Sequence, residues 1–223
     1  MVREFNLNEK QMKQFSIYYH LLKEWNKKIN LTAIVEKEEI YIRHFYDSLY
    51  ASKVYDFENQ FVCDIGSGAG FPGIPLKILF PDIKLTIIDA LNKRVKFLKE
   101  LCDQLDIEVT LVHARAEDYI KDSREKYDVV FARAVAKLNV LAELCIPYVK
   151  VNGLFLAYKG QNALNEIRQT RNALRLLNSK VEDRIKYTLP NVPGQREIIK
   201  IRKLKKNDIM YPRQFAKIKK RPL

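Results

Sequence analysis

The sequence predicts an α/β fold: a doubly wound, mostly parallel sheet closed by an antiparallel hairpin and preceded by a helical N-terminal cap. Three observations predict it. No Gly or Pro occurs before Gly66, so the first 60 residues read as compact helix. From residue 61, short apolar runs alternate with amphipathic stretches, the pattern of β-α units around a parallel sheet. After residue 180, two β-rich runs flank Pro190-Asn191-Val192-Pro193-Gly194, which reads as a hairpin turn.

The elements follow in order. Met12, Phe15, Tyr19, Leu22 and Trp25 recur at helical steps and predict a helix over 8–29, with Asn8 as its cap and Glu9 in its first turn. Asn30-Leu31-Thr32 breaks the pattern, and a second helix is expected over 37–53 with Ile42, Phe45 and Leu49 on one face. Strands are expected at Phe61–Ile65, Leu85–Ile88, Glu108–Val112, Tyr127–Ala132 and Gly153–Tyr158. Helices are expected at 73–80, Lys93–Leu105, 136–149 and 161–178, with Val95, Leu98, Leu101, Cys102 and Leu105 inward on the second. The hairpin strands are expected at Arg184–Leu189 and Arg196–Arg202.

The chain has 223 residues, 47% of them hydrophobic, enough to bury a sizeable core. The expected division is a cap over 1–60, a main domain over 61–206 and a basic tail over 207–223. No apolar run approaches the roughly 20 residues of a membrane span, and the N-terminus lacks the apolar core of a signal peptide. Cys63, Cys102 and Cys145 form no CxxC and read as reduced, buried thiols, so a cytoplasmic monomer is expected, with no metal site. Net charge is +13, and its placement is informative. Residues 1–60 and 61–153 are each neutral, whereas 154–223 hold 18 basic and 5 acidic residues. Solubility needs no such segregation, and a nucleic acid partner explains it better.

Four of the seven glycines lie in Asp64-Ile65-Gly66-Ser67-Gly68-Ala69-Gly70-Phe71-Pro72-Gly73, which follows a strand and opens a helix. Such a loop lets a ligand approach the backbone. Gly68-x-Gly70-x-x-Gly73 also has dinucleotide spacing, with Asp89 21 residues beyond Gly68, so spacing alone leaves a nicotinamide cofactor open. Three acidic groups favour S-adenosylmethionine. A carboxylate at Asp64 repels a pyrophosphate but suits the ammonium of a methionyl group. Asp89 ends the second strand, where it can accept both ribose hydroxyl protons. Ala116-Glu117 follows the third strand, where an acidic side chain can meet adenine.

The chain resembles the ribosomal RNA small subunit methyltransferase G family, formerly the glucose-inhibited division protein B family. The shared runs are N-L-T-A-I at 30–34, R-H-x-x-D-S-L at 43–49, D-I-G-S-G-A-G-F-P-G-I-P-L at 64–76 and D-x-L-x-K-R at 89–94. R-A-E at 115–117, A-R-A-V-A at 132–136 and the tail from Tyr211 to Leu223 extend the likeness over nearly the whole chain. One departure is the run Arg213-Gln214-Phe215-Ala216, where family tails usually place a glycine after Y-P-R. The resemblance implies a class I S-adenosylmethionine-dependent methyltransferase fold, Rossmann-like, with a helical cap. It implies methylation of N7 of one guanine in 16S ribosomal RNA, free or in the small-subunit particle. It assigns the cofactor to Gly66, Phe71, Ala116, Glu117 and Arg133, beside Gly68, Asp64 and Asp89.

Guanine N7 has a free lone pair, so no general base is needed and no catalytic residue is assigned. Asp47 and Ser48 with Arg133 are expected to shape the base pocket, although Asp47 could instead cap or pair within the cap. Arg133 follows a strand's carboxyl end, where ligands bind. His20, His44 and His113 read as structural. The basic run from Arg196 onward, with 11 basic and 2 acidic residues, is expected to meet phosphates. Two alternatives remain: a methyltransferase of another RNA or base position, and a non-catalytic RNA-binding assembly factor.

Overall fold

The computed structural model describes residues 1–133 and 136–223. Ala134 and Val135, the centre of the A-R-A-V-A run, lie outside the described residues.

Helix α1 (Glu9–Ile29) starts at a capping box: Asn8 Oδ1 accepts from the Gln11 amide at 2.9 Å, and Gln11 Oε1 accepts from the Asn8 amide. Its buried face differs from the expected one. Met12 is exposed, whereas Gln11 and Gln14 are buried. The reason is hydrogen bonding: Gln11 Nε2 donates to Ile78 O at 3.0 Å, and Gln14 Nε2 donates to Leu105 O at 2.8 Å. These carbonyls end two later helices and have no partner within them. The expected second helix is broken into α2 (Lys37–Ile40), a π-helical turn (Tyr41–Tyr46), α3 (Asp47–Leu49) and a 3₁₀ turn (Tyr50–Lys53). The wide turn loosens the helical ladder, and such bulges often mark functional sites.

Beyond the cap come β1 (Phe61–Ile65), α4 (Gly73–Leu79), β2 (Lys84–Asp89), α5 (Asn92–Leu105), β3 (Thr110–His113), α6 (Ala116–Tyr119) and β4 (Tyr127–Arg133). Then follow α7 (Leu138–Cys145), β5 (Val149–Lys159), α8 (Ala163–Leu176), β6 (Ser179–Leu189), β7 (Val192–Lys203) and α9 (Phe215–Lys220). The strand order is β3-β2-β1-β4-β5-β7-β6, parallel from β3 to β5 and antiparallel thereafter. The order reverses between β1 and β4, which puts the ligand crevice at their carboxyl ends. The expected doubly wound sheet with a terminal hairpin is thus found.

Some boundaries move. The helix expected over 136–149 ends at Cys145 and passes through a 3₁₀ turn into β5, which starts at Val149 rather than Gly153. The hairpin strands are longer than expected, and the turn narrows to Pro190-Asn191, with Leu189 paired to Val192. Their extra length is mostly polar, and Glu182 within it pairs across the strands with Arg202 at 2.5 Å. An apolar pattern does not reveal such strands.

Two apolar clusters cover the sheet. One joins α1 and the cap to α4 and α5 through Phe15, Leu22, Phe45, Ile74 and Leu98. The other joins α7, α8 and α9 through Leu141, Leu174 and Ile218. The C-terminal residues are packed rather than loose: Tyr211 and Ile218 are buried, and Arg213 donates to Glu143 Oε1 and Oε2 at 2.7 Å. No described helix is long and apolar enough to cross a membrane. All three cysteines are free, buried thiols.

Candidate cofactor and acceptor cavities

The glycine loop is built on Asp64. This carboxylate is wholly buried beneath the loop, and its Oδ2 accepts from the Gly73 amide at 2.7 Å. A Cβ on Gly73 would lie 2.8 Å from that same oxygen, so only glycine allows this seat. Asp64 Oδ1 and the Ser67 hydroxyl are buried with no hydrogen-bond partner among the described residues. Burial pushes the Asp64 carboxyl up to about 7, against the lowering effects of the Gly73 amide and Arg133. Gly68 has φ +63°, and a Cβ there would meet nothing within 4 Å. Its backbone therefore faces open space. Asp89 holds the other wall: Oδ2 accepts from the Gly68 amide at 3.2 Å and Oδ1 from the Leu91 amide at 2.9 Å. Arg94 Nη1 lies 3.4 Å from Asp89 Oδ2.

A cavity of about 470 Å³ opens between these walls, lined by Gly66, Gly68, Phe71, Asp89, His44 and Arg133 among others. Ala116 and Glu117 sit one strand further out, at the start of α6 and largely buried. The Ala114 amide donates to Asp89 O at 3.3 Å and ties that segment to the cavity wall. The sequence-predicted residues thus converge on the carboxyl ends of β1, β2, β3 and β4. Asp64 stands apart from the cavity lining, below the loop.

Arg133 leaves β4 toward the cap. Its Nη1 donates to Asp47 Oδ2 at 2.9 Å, to Ser48 Oγ at 3.3 Å and to His44 O at 3.4 Å. The His44 carbonyl belongs to the π-helical turn, which links the broken helix to the site. Arg133 also sits 4.8 Å from the centre of the Phe71 ring. His44 stacks on Phe71 at 4.6 Å, and Tyr18 stacks on it at 5.4 Å. His44 Nε2 pairs with Thr32 Oγ1 at 2.8 Å and Nδ1 with Arg133 Nη2 at 3.3 Å. Burial, helped by the Arg133 charge, pulls the His44 pKa down to about 3, so the ring is neutral.

A second cavity, of about 330 Å³, lies across His44 and Arg133 from the first. Asp47, Tyr158, Tyr187, Arg43, Lys159 and Arg196 complete much of its wall. Asp47 Oδ1 accepts from Tyr187 Oη at 2.7 Å, and Tyr158 Oη donates to Ser48 O at 2.9 Å. Asp47 therefore pairs across layers and not within the cap. Tyr158 and Tyr187 were not singled out from sequence; Arg43 was visible only at the head of the R-H-x-x-D-S-L run, and Arg196 only as the start of the basic run expected to meet phosphates. Tyr187 and Arg196 come from hairpin strands whose composition reads as polar surface. Thr32 was visible only as part of the N-L-T-A-I run.

The comparisons agree with this geometry. Solved structures of similar fold include M. jannaschii TYW2 in complex with AdoMet, at TM-score 0.52 and 18% identity over 71% of this chain and 77% of that one. A ribosomal protein L11 methylase from Lactobacillus delbrueckii subsp. bulgaricus matches at TM-score 0.55 and 17% identity, over 73% of this chain and 79% of that one. These likenesses show the class I methyltransferase fold. A ribosomal RNA small subunit methyltransferase G from Bacillus cytotoxicus is 47% identical over 99% of this chain and 94% of its own length. One from Staphylococcus carnosus is 46% identical, again over 99% and 94%. The family model described as "GidB: rRNA small subunit methyltransferase G" matches residues 11–199. With a motif set, a fold and a near full-length match in agreement, the chain belongs to the rRNA small subunit methyltransferase G family.

Proposed function

We propose that this chain transfers the methyl group of S-adenosylmethionine to N7 of a guanine in 16S ribosomal RNA. One observation carries the reading: two cavities meet at His44 and Arg133, one walled by the glycine loop and Asp89, the other by aromatic rings and arginines. A donor in the first and a base in the second would face each other.

The residues fit the donor. Gly66 and Gly68 offer backbone beside open space, and Asp89 offers a carboxylate at a strand end, where it can receive ribose hydroxyls. Ala116 and Glu117 stand at the start of α6, one strand out from Asp89, on the side where an adenine edge would be met. The unpartnered Ser67 hydroxyl on the cavity wall is a polar group a methionyl ammonium would satisfy, and the Asp64 carboxyl beneath the loop would act on that ammonium through its charge. His44 and Arg133, which line both cavities, would stand between donor and acceptor. S-adenosylmethionine, when bound, supplies an electrophilic methyl on a sulfonium.

The acceptor side needs no base, because N7 attacks with its own lone pair. His44 suits that requirement: both ring nitrogens are already engaged, and the ring stays neutral. Arg133 is held back by Asp47 and Ser48, so it does not cover N7, the atom arginine usually reads. Placement of the base in line with the methyl is the main source of rate, worth up to roughly 7–11 kcal/mol in well-oriented systems. The surrounding arginines, Arg43 and Arg196, suit the phosphates of an extruded nucleotide.

The test adds labelled S-adenosylmethionine and purified protein to 16S rRNA from cells lacking the protein. Chain cleavage specific for N7-methylguanine should then map one site. Label found on another atom or another RNA would overturn the reading.

A further inference from the structure

Ile209 and Met210 are 85% and 57% exposed, the two least covered large hydrophobics but one among the described residues. Exposed apolar side chains on a floppy segment mean little. These stand on a segment whose backbone is tied down. Arg124 Nη2 donates to Ile209 O at 3.3 Å and to Tyr211 O at 2.6 Å. The Met210 amide donates to Asp208 Oδ1 at 3.0 Å, and the Tyr211 amide to Asp208 O at 3.2 Å. Asn178 Nδ2 donates to Lys206 O, and Asn207 Nδ2 donates to Leu177 O. The fold thus holds a turn rigidly while its two apolar side chains project into water. Rigid display of uncovered apolar surface points to a partner, because ordering costs are met before binding.

The charges say which partner. Lys205 and Lys206 adjoin the turn and Lys126 lies beside it, all exposed. Of the nearby acids, Glu125 pairs with Lys203 at 2.9 Å, and Asp208 is exposed and accepts from the Met210 amide, so the two lysines outnumber the one carboxylate left on the turn. The turn follows β7, at the end of the sheet where the parallel strands begin. Phe61, Val151 and Leu204, each also exposed, lie at that same end. Four residues of β7 separate Arg202 from Glu197, the register neighbour of Lys159 on the acceptor cavity wall, so the turn stands roughly 20 Å from the chemistry.

We infer that the Ile209–Met210 turn, with Lys205 and Lys206, is a second RNA contact that grips a part of the substrate remote from the target base. The reading rests on the proposed RNA substrate. Lysines meet phosphates, and the two apolar side chains pack on unstacked bases or into the shallow minor groove of A-form RNA. Such a contact raises affinity without touching the reaction.

The test uses the full chain with two double variants, Ile209→Ser with Met210→Ser, and Lys205→Gln with Lys206→Gln. Both pairs are surface residues, and an unchanged Tm confirms folding. Binding of a 16S transcript is read by fluorescence anisotropy without cofactor, and methyl transfer is read on the transcript and on small-subunit particles lacking the mark. Expected are about tenfold weaker transcript binding and a similar rise in KM, with kcat and cofactor Kd unchanged. The lysine pair alone should also lower the salt slope, by roughly 0.7–0.9 per lost phosphate contact. Wild-type transcript binding by both variants overturns the inference. A defect seen only with particles overturns it too, in favour of a ribosomal protein partner. Because binding is read without methyl transfer, a binding defect stands even if the acceptor atom is not guanine N7.

Discussion

The Arg133 guanidinium meets the Asp47 carboxylate at 2.9 Å, with both side chains almost out of solvent, 11% and 6% exposed. The pair joins the carboxyl end of β4 to the cap, and through Tyr187 it reaches the hairpin. Three separate parts of the chain are therefore locked at the boundary between the two cavities.

Breaking that pair should be costly. Asp47→Ala leaves a buried cation unpaired, which costs about 3–5 kcal/mol. Urea unfolding checks it. Asp47→Asn keeps an acceptor for both Arg133 and Tyr187, so it should lose less stability while methyl transfer falls roughly tenfold or more. Arg133→Ala should lower both methyl transfer and cofactor affinity. Wild-type values for Asp47→Asn and Arg133→Ala would remove both residues from the site.

This lock also marks the limit of what was legible in the sequence. The glycine loop was legible because its constraints are local: Asp64 and Gly73 are nine residues apart and belong to one turn. The doubly wound sheet followed from alternating apolar runs, whereas its strand order did not. Asp47 and Arg133 are 86 residues apart, and Asp47 and Tyr187 are 140 apart. The shared motifs place Asp47 and Arg133 at one pocket, but their direct pairing, and the part of Tyr187 in it, is set only by packing. Gln11 and Gln14 teach the same lesson. Their residue type says surface, but the free carbonyls of α4 and α5 draw them inward.

His44 should make stability fall in mild acid. Its pKa in the fold is about 3, against an ordinary 6.5. The unfolded chain therefore takes up a proton that the folded ring refuses. The contribution is full above about 6.5 and is lost progressively as pH falls toward 3. Asp64 acts with the opposite sign over the same range, so the His44 share is read as a difference: between pH 7.5 and 5 the wild-type Tm should fall relative to that of His44→Gln. An identical slope in the variant would contradict the burial argument.

Asp64 should act in the opposite sense. Its folded pKa of about 7 lies above the ordinary 3.8. Its contribution to stability is full below about 3.8 and is lost as pH rises through 7. A cationic methionyl group near Oδ1 would favour the ionised form, so cofactor binding should release a proton near neutrality. Calorimetry in buffers of different ionisation enthalpy reads that release directly. Asp64→Asn should abolish it and weaken the cofactor's binding at pH 8 more than at pH 6.

The segregated charge leads to the last prediction, and the structure changes how it must be tested. Of the 18 cations in residues 154–223, Lys159, Arg184, Lys200, Arg202, Lys203 and Arg213 are in ion pairs. They hold the sheet and the C-terminal residues in place and are poor candidates for phosphate contact. Deleting 207–223 would uncover the core at Ile218 and leave Glu143, itself fully buried, without Arg213. A loss of RNA affinity in that truncation could then reflect damage to the fold. Exposed cations give a cleaner test. Arg168, Arg171 and Arg175 are spaced to share one face of α8, and Lys217, Lys219 and Lys220 are exposed on α9; both helices pack against α7 in the same layer. Replacing the three arginines by glutamine should leave Tm and cofactor affinity unchanged. RNA affinity should fall about tenfold or more at low salt, and the slope against salt should shrink by roughly 2–3, since each lost phosphate contact removes about 0.7–0.9. An unchanged slope would mean that this face does not meet RNA, and would shift the electrostatic footprint to the arginines of the acceptor cavity.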